Sequence, residues 1–201
     1  MDERLAALLD ELHAYGVQHD AGKPDRLDRL RNLEPDTARL LALLVRATGA
    51  KAVLELGTSN GYSTLWLADS ARAVGGHVVS VDTDPDRSAQ AAANLDRAGL
   101  RLVVELRVQD AADALKESPD AAWDMIFLDA GRPAYPGYWP DLVRTLKPGG
   151  LLAVDNVLSH ADQVRDFRAL VSADPRVTEA LAPTGAGALL VVRERTPHQT
   201  G

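Results

Sequence analysis

Between Lys51 and Ala68 the chain reads KAVLELGTSNGYSTLWLA, and few folds accept such a compact order of strand, glycine turn and helix. Val53, Leu54 and Leu56 form the short apolar run of a parallel strand buried on both faces, with one carboxylate, Glu55, set into it. Gly57 and Gly61 free the backbone to bend sharply and approach a ligand, and Tyr62 to Ala68 carry apolar residues at helical spacing. Unsatisfied N–H groups at such a helix start favour an anionic group, so a ligand is expected there.

The rest of the chain repeats the unit. Residues 77–82 (HVVSVD) read as strand, Pro85 to Ala98 as helix, Leu102 to Val108 as strand, Ala111 to Glu117 as helix and 125–130 (MIFLDA) as strand. Tyr138 to Leu146 follow as helix, Lys147 to Gly150 (KPGG) as a turn, 151–156 (LLAVDN) as the fifth strand and Ala161 to Ser172 as helix. The last two strands, Arg176 to Ala182 and Ala188 to Arg193, are close enough for an antiparallel hairpin. Ahead of the motif, Leu5, Leu8, Leu9 and Leu12 predict an amphipathic helix ending near Gly16, then a polar loop with a short helix around Pro24 to Asn32. A second helix begins at Pro35 and is stopped by Gly49. The expected fold is α/β: a doubly wound, mostly parallel seven-stranded sheet closed by an antiparallel hairpin, with extra N-terminal helices. One domain is expected, with a helical cap over 1–48, a core over 49–195 and a tail over 196–201.

Ligands of open α/β sheets gather at the carboxyl ends of the strands, and here each of five strands delivers a polar group. These are Glu55 with Gly57, then Asp82, then Gln109 with Asp110, then Asp129, then Asp155 with Asn156. Each alone also reads as a turn starter or helix cap. Asp82 lies 25 residues beyond Gly57, close to where a dinucleotide fold places its ribose-binding acid. Yet Gly57-Thr58-Ser59-Asn60-Gly61 lacks the middle glycine a pyrophosphate requires. A nucleoside ending in an amino-acid carboxylate suits a turn bearing the hydroxyls of Thr58, Ser59 and Ser63 better.

From Glu34 to Arg193 the chain resembles the S-adenosylmethionine-dependent O-methyltransferases, in particular the metal-dependent branch with the catechol and caffeoyl-coenzyme A enzymes. VLELGTSNGYST is similar to that branch's first motif, SVDTDP to its ribose strand, MIFLDA to its fourth strand and KPGGLLAVDN to its fifth. The resemblance implies a Rossmann-like class I methyltransferase fold. It implies that Glu55, Gly57 and Ser63 hold the methionyl part of S-adenosylmethionine, Asp82 the ribose, and Asp110 with Ala111 the adenine. Thr58, Ser59, Gly61, Thr83 and Asp129 complete the implied cofactor set, and Asp129, Asp155 and Asn156 are the implied ligands of a divalent metal. Two carboxylates and an amide oxygen are hard donors suited to Mg²⁺.

One position departs from the pattern. Where the branch carries a lysine base, three residues after the fourth-strand aspartate, this chain has Arg132, which stays protonated and cannot accept a proton. Arg132 remains a candidate for electrostatic assistance or for binding a substrate carboxylate, and His160 is a candidate base. Tyr135, Tyr138 and Trp139 offer either a pocket wall or helix packing; packing is the reading for Trp139 and for Trp66. Two alternatives stay open: a metal-independent or degenerate S-adenosylmethionine-binding protein of the same fold, and a serine hydrolase. The second rests on Gly57-Thr58-Ser59-Asn60-Gly61 as a nucleophile elbow, with Ser59 as nucleophile, Asp129 or Asp155 as acid and His160 or His198 as base. Against it, the residues before the motif read as helices and loop rather than strands.

Charge and composition narrow the partners. The 201 residues carry a net charge of -7 and no cysteine, which excludes disulfides, thiolate metal sites and a cysteine nucleophile. The acidic balance argues against a nucleic-acid partner, and no apolar run is long enough for a membrane. The acidic, amphipathic start is unlike a signal peptide, so a cytoplasmic setting is expected. The expected partner is a small hydroxylated molecule, with the leucine stripe of the first helix available to cover the acceptor pocket or to form a homodimer.

Overall fold

Seven strands follow from the apolar runs, each bounded as a helix begins or a glycine turns. They are β1 (Ala52–Leu56), β2 (His77–Asp82), β3 (Val104–Val108), β4 (Trp123–Leu128), β5 (Leu146–Val154), β6 (Val177–Ala182) and β7 (Ala188–Arg193). In the computed structural model, which describes residues 1–25 and 29–195, they form one sheet in the order β3-β2-β1-β4-β5-β7-β6. The first five are parallel; β7 lies antiparallel to both β5 and β6. The chain winds outward from β1 to β3, then returns beside β1 as β4, so the crevice of a doubly wound sheet opens between the ends of β1 and β4.

Alternation along the strands sends successive side chains to opposite faces. Val53 and Phe127 pack with Leu41 and Leu65 on one face, covered by α1 (Glu3–Ala21), α2 (Pro35–Thr48), α3 (Tyr62–Ala73) and α4 (Pro85–Arg97). Leu54, Leu56 and Ile126 pack with Trp139 and Phe167 on the other, under α5 (Ala111–Glu117), α6 (Tyr135–Thr145) and α7 (Ala161–Ala173). Trp139 and Tyr135 both meet the Phe167 ring edge-on, so these aromatics fasten α6 to α7 as core. Trp66 is buried too.

Several boundaries differ from the pattern, each for a local reason. Helix α1 does not stop near Gly16 but runs to Ala21. Gly16 leaves room for Asn32: a Cβ there would press on the carboxamide that donates to the Leu12 carbonyl at 2.9 Å, and that side chain would have to shift. The leucine stripe is no free surface: Leu5, Leu8, Leu9 and Leu12 are buried in the chain's own core. Each contributes about 1.5–3 kcal/mol of burial. The short helix expected over 24–32 is not formed at 29–32, and residues 26–28 lie outside the described residues. The tail 196–201, with His198, lies outside them as well. Residues 102 and 103 belong to a 3-10 turn before β3, and α6 begins at Tyr135, three residues early. Lys147 to Gly150 are not a turn between elements but a bulge inside β5: two steps on β4, Trp123 to Met125, are matched by five on β5, Leu146 to Leu151. No helix among the described residues is long and apolar enough to cross a membrane.

Candidate active site

At the carboxyl end of the sheet a cleft of about 520 Å³ runs from β3 across to β5. Its floor is the turn after β1. Gly57 has φ 112°, its N–H donates to the Val81 carbonyl at 2.9 Å, and a Cβ on it would strike the carbonyl oxygen of Asp129. Only glycine lets the ends of β1 and β4 come so close. Thr58, Ser59 and Ser63 line the cleft as expected, joined by Asn60 and Tyr62. Gly61 instead caps α3 in the left-handed conformation against Ala91 and does not face the cleft.

Glu55 does not line the cleft either. Strand alternation turns it towards α3, where it is fully buried and accepts from Ser63 Oγ (2.6 Å), Thr64 Oγ1 (2.5 Å) and Ser80 Oγ (2.6 Å). It lies under the cleft, positioning Ser63, and does not line it. Burial raises its pKa to about 7, against the pull of the three hydroxyls.

Asp82 and Thr83 stand on the wall at the end of β2. One Asp82 oxygen accepts from Ser59 N at 2.8 Å, the other from Asp84 N at 3.0 Å, so the carboxylate shapes the glycine turn while keeping lone pairs towards the cleft. Asp110 and Ala111 line the far end; Asp110 also caps α5, accepting from Ala112 N at 2.8 Å, so the two readings of this residue are compatible.

At the opposite end Asp129, Asp155 and Asn156 come together, drawn there by β4 and β5 ending side by side. Asn156, in the left-handed region at φ 64°, donates through Nδ2 to Asp155 Oδ2 at 2.6 Å and reaches Asp129 Oδ1 at 3.5 Å. Asp129 and Asn156 line the cleft and Asp155 sits just behind them, 4% exposed. Burial, and then repulsion from Asp129, raises the Asp155 pKa to about 7; burial raises Asp129 in turn. Asp155 Oδ1 is buried with no hydrogen-bond partner. Among the described residues no group of three or more His, Cys, Asp or Glu side chains gathers as a metal cluster. Two crowded carboxylates, one oxygen unsatisfied, beside a carboxamide nevertheless suit a hard cation, which would relieve both their repulsion and that oxygen.

Arg132 opens a 3-10 turn after β4, is 6% exposed, and lines the cleft beside this cluster. Tyr138 lines it too, while Tyr135 is buried beneath, its hydroxyl donating to the Ala130 carbonyl at 3.1 Å. His160 is at the start of α7, where its Nδ1 meets Ser159 Oγ at 2.7 Å; it is not part of the cleft lining, which argues against it as base. The nucleophile-elbow reading fails on the same geometry, since Ser59 Oγ donates to the Leu30 carbonyl at 3.0 Å and accepts from Arg87 Nη1 at 3.2 Å.

The roof of the cleft is marked by no pattern in the sequence. Residues 30–33 line the cleft, held by the Leu30 and Arg31 N–H groups on the Asp20 carboxylate (2.7 and 2.8 Å) and by Arg87 Nη2 on the Arg29 carbonyl (2.9 Å). The polar stretch before Pro35 carries no periodicity to announce this, because its path is set by partners distant in sequence.

A profile of the O-methyltransferase family matches residues 5–194. A catechol O-methyltransferase of Niastella koreensis is 39% identical over 130 residues, which span 63% of this chain and 58% of that relative's length. Among solved structures, an O-methyltransferase of Bacillus cereus in complex with S-adenosylhomocysteine superposes with a TM-score of 0.76 at 28% identity, covering 96% of this chain and 92% of that one. The O-methyltransferase TomG of Streptomyces achromogenes, involved in tomaymycin synthesis and bound to S-adenosylmethionine, gives 0.78 at 27% identity, covering 97% and 91%.

Proposed function

We propose that this chain, which belongs to the O-methyltransferase family, moves a methyl group from S-adenosylmethionine to a hydroxyl of a small aromatic acceptor with neighbouring hydroxyls, assisted by a divalent cation. The observation that supports this reading best is the meeting, in one cleft, of a ribose-type carboxylate, Asp82, with the Asp129, Asp155 and Asn156 cluster.

On this reading the turn from Gly57 to Ser63 receives the methionyl end of the cofactor, with Ser63 aligned by Glu55 beneath it. Asp82 accepts from the ribose hydroxyls, and Asp110 with Ala111 borders the adenine. Asp129, Asp155 and Asn156 would hold Mg²⁺, whose chemistry when bound is to make a neighbouring hydroxyl more acidic. The chain itself then has to orient the acceptor in line with the methyl group and keep water away, a task that would fall to Tyr138 and the roof formed by residues 30–33, which line the cleft.

The test is calorimetric titration of S-adenosylmethionine, followed by methyl transfer to catechols and hydroxycinnamates with Mg²⁺ or a chelator. Chelator-sensitive transfer is the expected result. Transfer that ignores the chelator would remove the cation from the reading, and no cofactor binding would overturn it altogether.

A further inference from the structure

Arg132 is a largely buried cation on the cleft wall. Its Nε is enclosed without a hydrogen-bond partner, and among the described residues its guanidinium makes neither a hydrogen bond nor an ion pair. Yet it is electrostatically close to Asp129, Asp155 and Tyr135, and its side chain lines the cleft. An enclosed guanidinium nitrogen left unpaired is costly, and the rest of the head group, on a side chain that lines the cleft, keeps donors for an anion there. Asp129 and Asp155 each feel its charge, but their carboxylates accept from Asn156 and neither makes an ion pair with the guanidinium. Ala134 and Tyr138 line the same cleft and offer it apolar surface.

We propose that Arg132 holds the acceptor's reacting oxygen as an anion, so that the acceptors are aromatic hydroxyls acidic enough to be bound ionised near neutral pH. This rests on the methyl-transfer reading and names its substrate class. The proton leaves the hydroxyl for solvent before transfer. The oxyanion then gives a lone pair to the methyl carbon as the S–CH₃ bond breaks, with that bond's electron pair staying on sulfur. Oxyanion and sulfonium become a neutral ether and a neutral thioether. Charge disappears from the oxygen during transfer, so Arg132 acts chiefly by enlarging the ionised fraction, which matters most for a hydroxyl otherwise largely protonated. As a cation within a few ångströms, it should raise the ionisation constant of the bound hydroxyl about tenfold or more.

The probe is 4-nitrocatechol, whose visible band reports its ionisation, titrated over pH with the full chain saturated in S-adenosylhomocysteine, with and without Mg²⁺. In wild type the phenolate band should appear at lower pH than for the free probe. Arg132→Gln should lose at least about tenfold of that shift in ionisation constant, and Arg132→Lys, which keeps a cation, should retain most of it. A bound probe that ionises alike in wild type and Arg132→Gln overturns the proposal, as does no probe binding by a wild type that binds S-adenosylhomocysteine. So does a second pattern: 3,4-dihydroxybenzoate weakened by Arg132→Gln with catechol and the nitrocatechol band unmoved, which would mean that Arg132 holds a ring carboxylate. Wild type failing to bind S-adenosylhomocysteine would instead count against the methyltransferase reading.

Discussion

Gly57 and Asp129 meet backbone to backbone: the space a Cβ would need at Gly57 is already taken by the Asp129 carbonyl oxygen. The glycine turn and the end of β4 are therefore one unit. Gly57→Ala has to break this contact and also hold a side chain at φ 112°. We expect a loss of about 1–3 kcal/mol in stability and a cofactor affinity too weak to measure by calorimetry. Wild-type affinity in this variant would separate the turn from the cofactor site.

Glu55 makes stability depend on pH in a direction unusual for a carboxylate. Its folded pKa of about 7 lies above the 4.5 of the unfolded chain, so the stability it contributes is full below about pH 4.5 and is lost as pH rises to about 7. At about 1.4 kcal/mol per tenfold, the loss is about 3 kcal/mol. Urea unfolding of wild type and Glu55→Gln across that window should show the wild type losing this much relative to the variant. Parallel curves would mean that Glu55 is ionised in the native protein at both ends.

Asp155→Asn removes one of two buried, mutually repelling charges while keeping an oxygen that can accept from Asn156. Metal-free protein should gain roughly 1 kcal/mol and melt about 2–4 °C higher, while stimulation of turnover by Mg²⁺ disappears. Scanning calorimetry in chelator gives the first number and a metal titration of activity the second. A lower melting temperature would show that the pair is held by more than the contacts described.

Asp82→Asn keeps one acceptor oxygen for the Ser59 N–H but loses the charge. Affinity for S-adenosylhomocysteine should fall about tenfold to a hundredfold, or ~1.5–3 kcal/mol, the worth of hydrogen bonds to a charged group. Adenine alone, which lacks the ribose, should bind wild type and variant equally. An equal loss for both would place the effect in the turn instead.

Where local chemistry decides, the sequence was sufficient. Strands β1, β2 and β7, helix α5 and the C-terminal hairpin follow from apolar runs and caps, and placing carboxylates at strand ends predicted the Asp82 wall and the Asp129 cluster. It misled where a residue's role depends on which way a strand or turn faces: Glu55 and Gly61 carry motif positions yet lie beneath the cleft or against α4. Gly16 looked like a helix end because the signal for a terminator and for a close packing partner is the same missing Cβ. The residues on the roof could not be read at all. Arg31 and Asn32 are placed by Asp20 and Leu12, across a loop that no period describes.

That roof ties together parts of the chain that a motif reading treats separately. Asp20 belongs to the last turn of α1, Ser59 to the glycine turn and Arg87 to the first turn of α4, and all three clasp the same few residues, 29–31. That side of the cleft is therefore stitched by a residue, Asp20, that does not itself line it. The N-terminal helix thus serves as a doorpost: loss of the Asp20 carboxylate should loosen residues 30 and 31 while leaving Asp129, Asp155 and Asn156 in place.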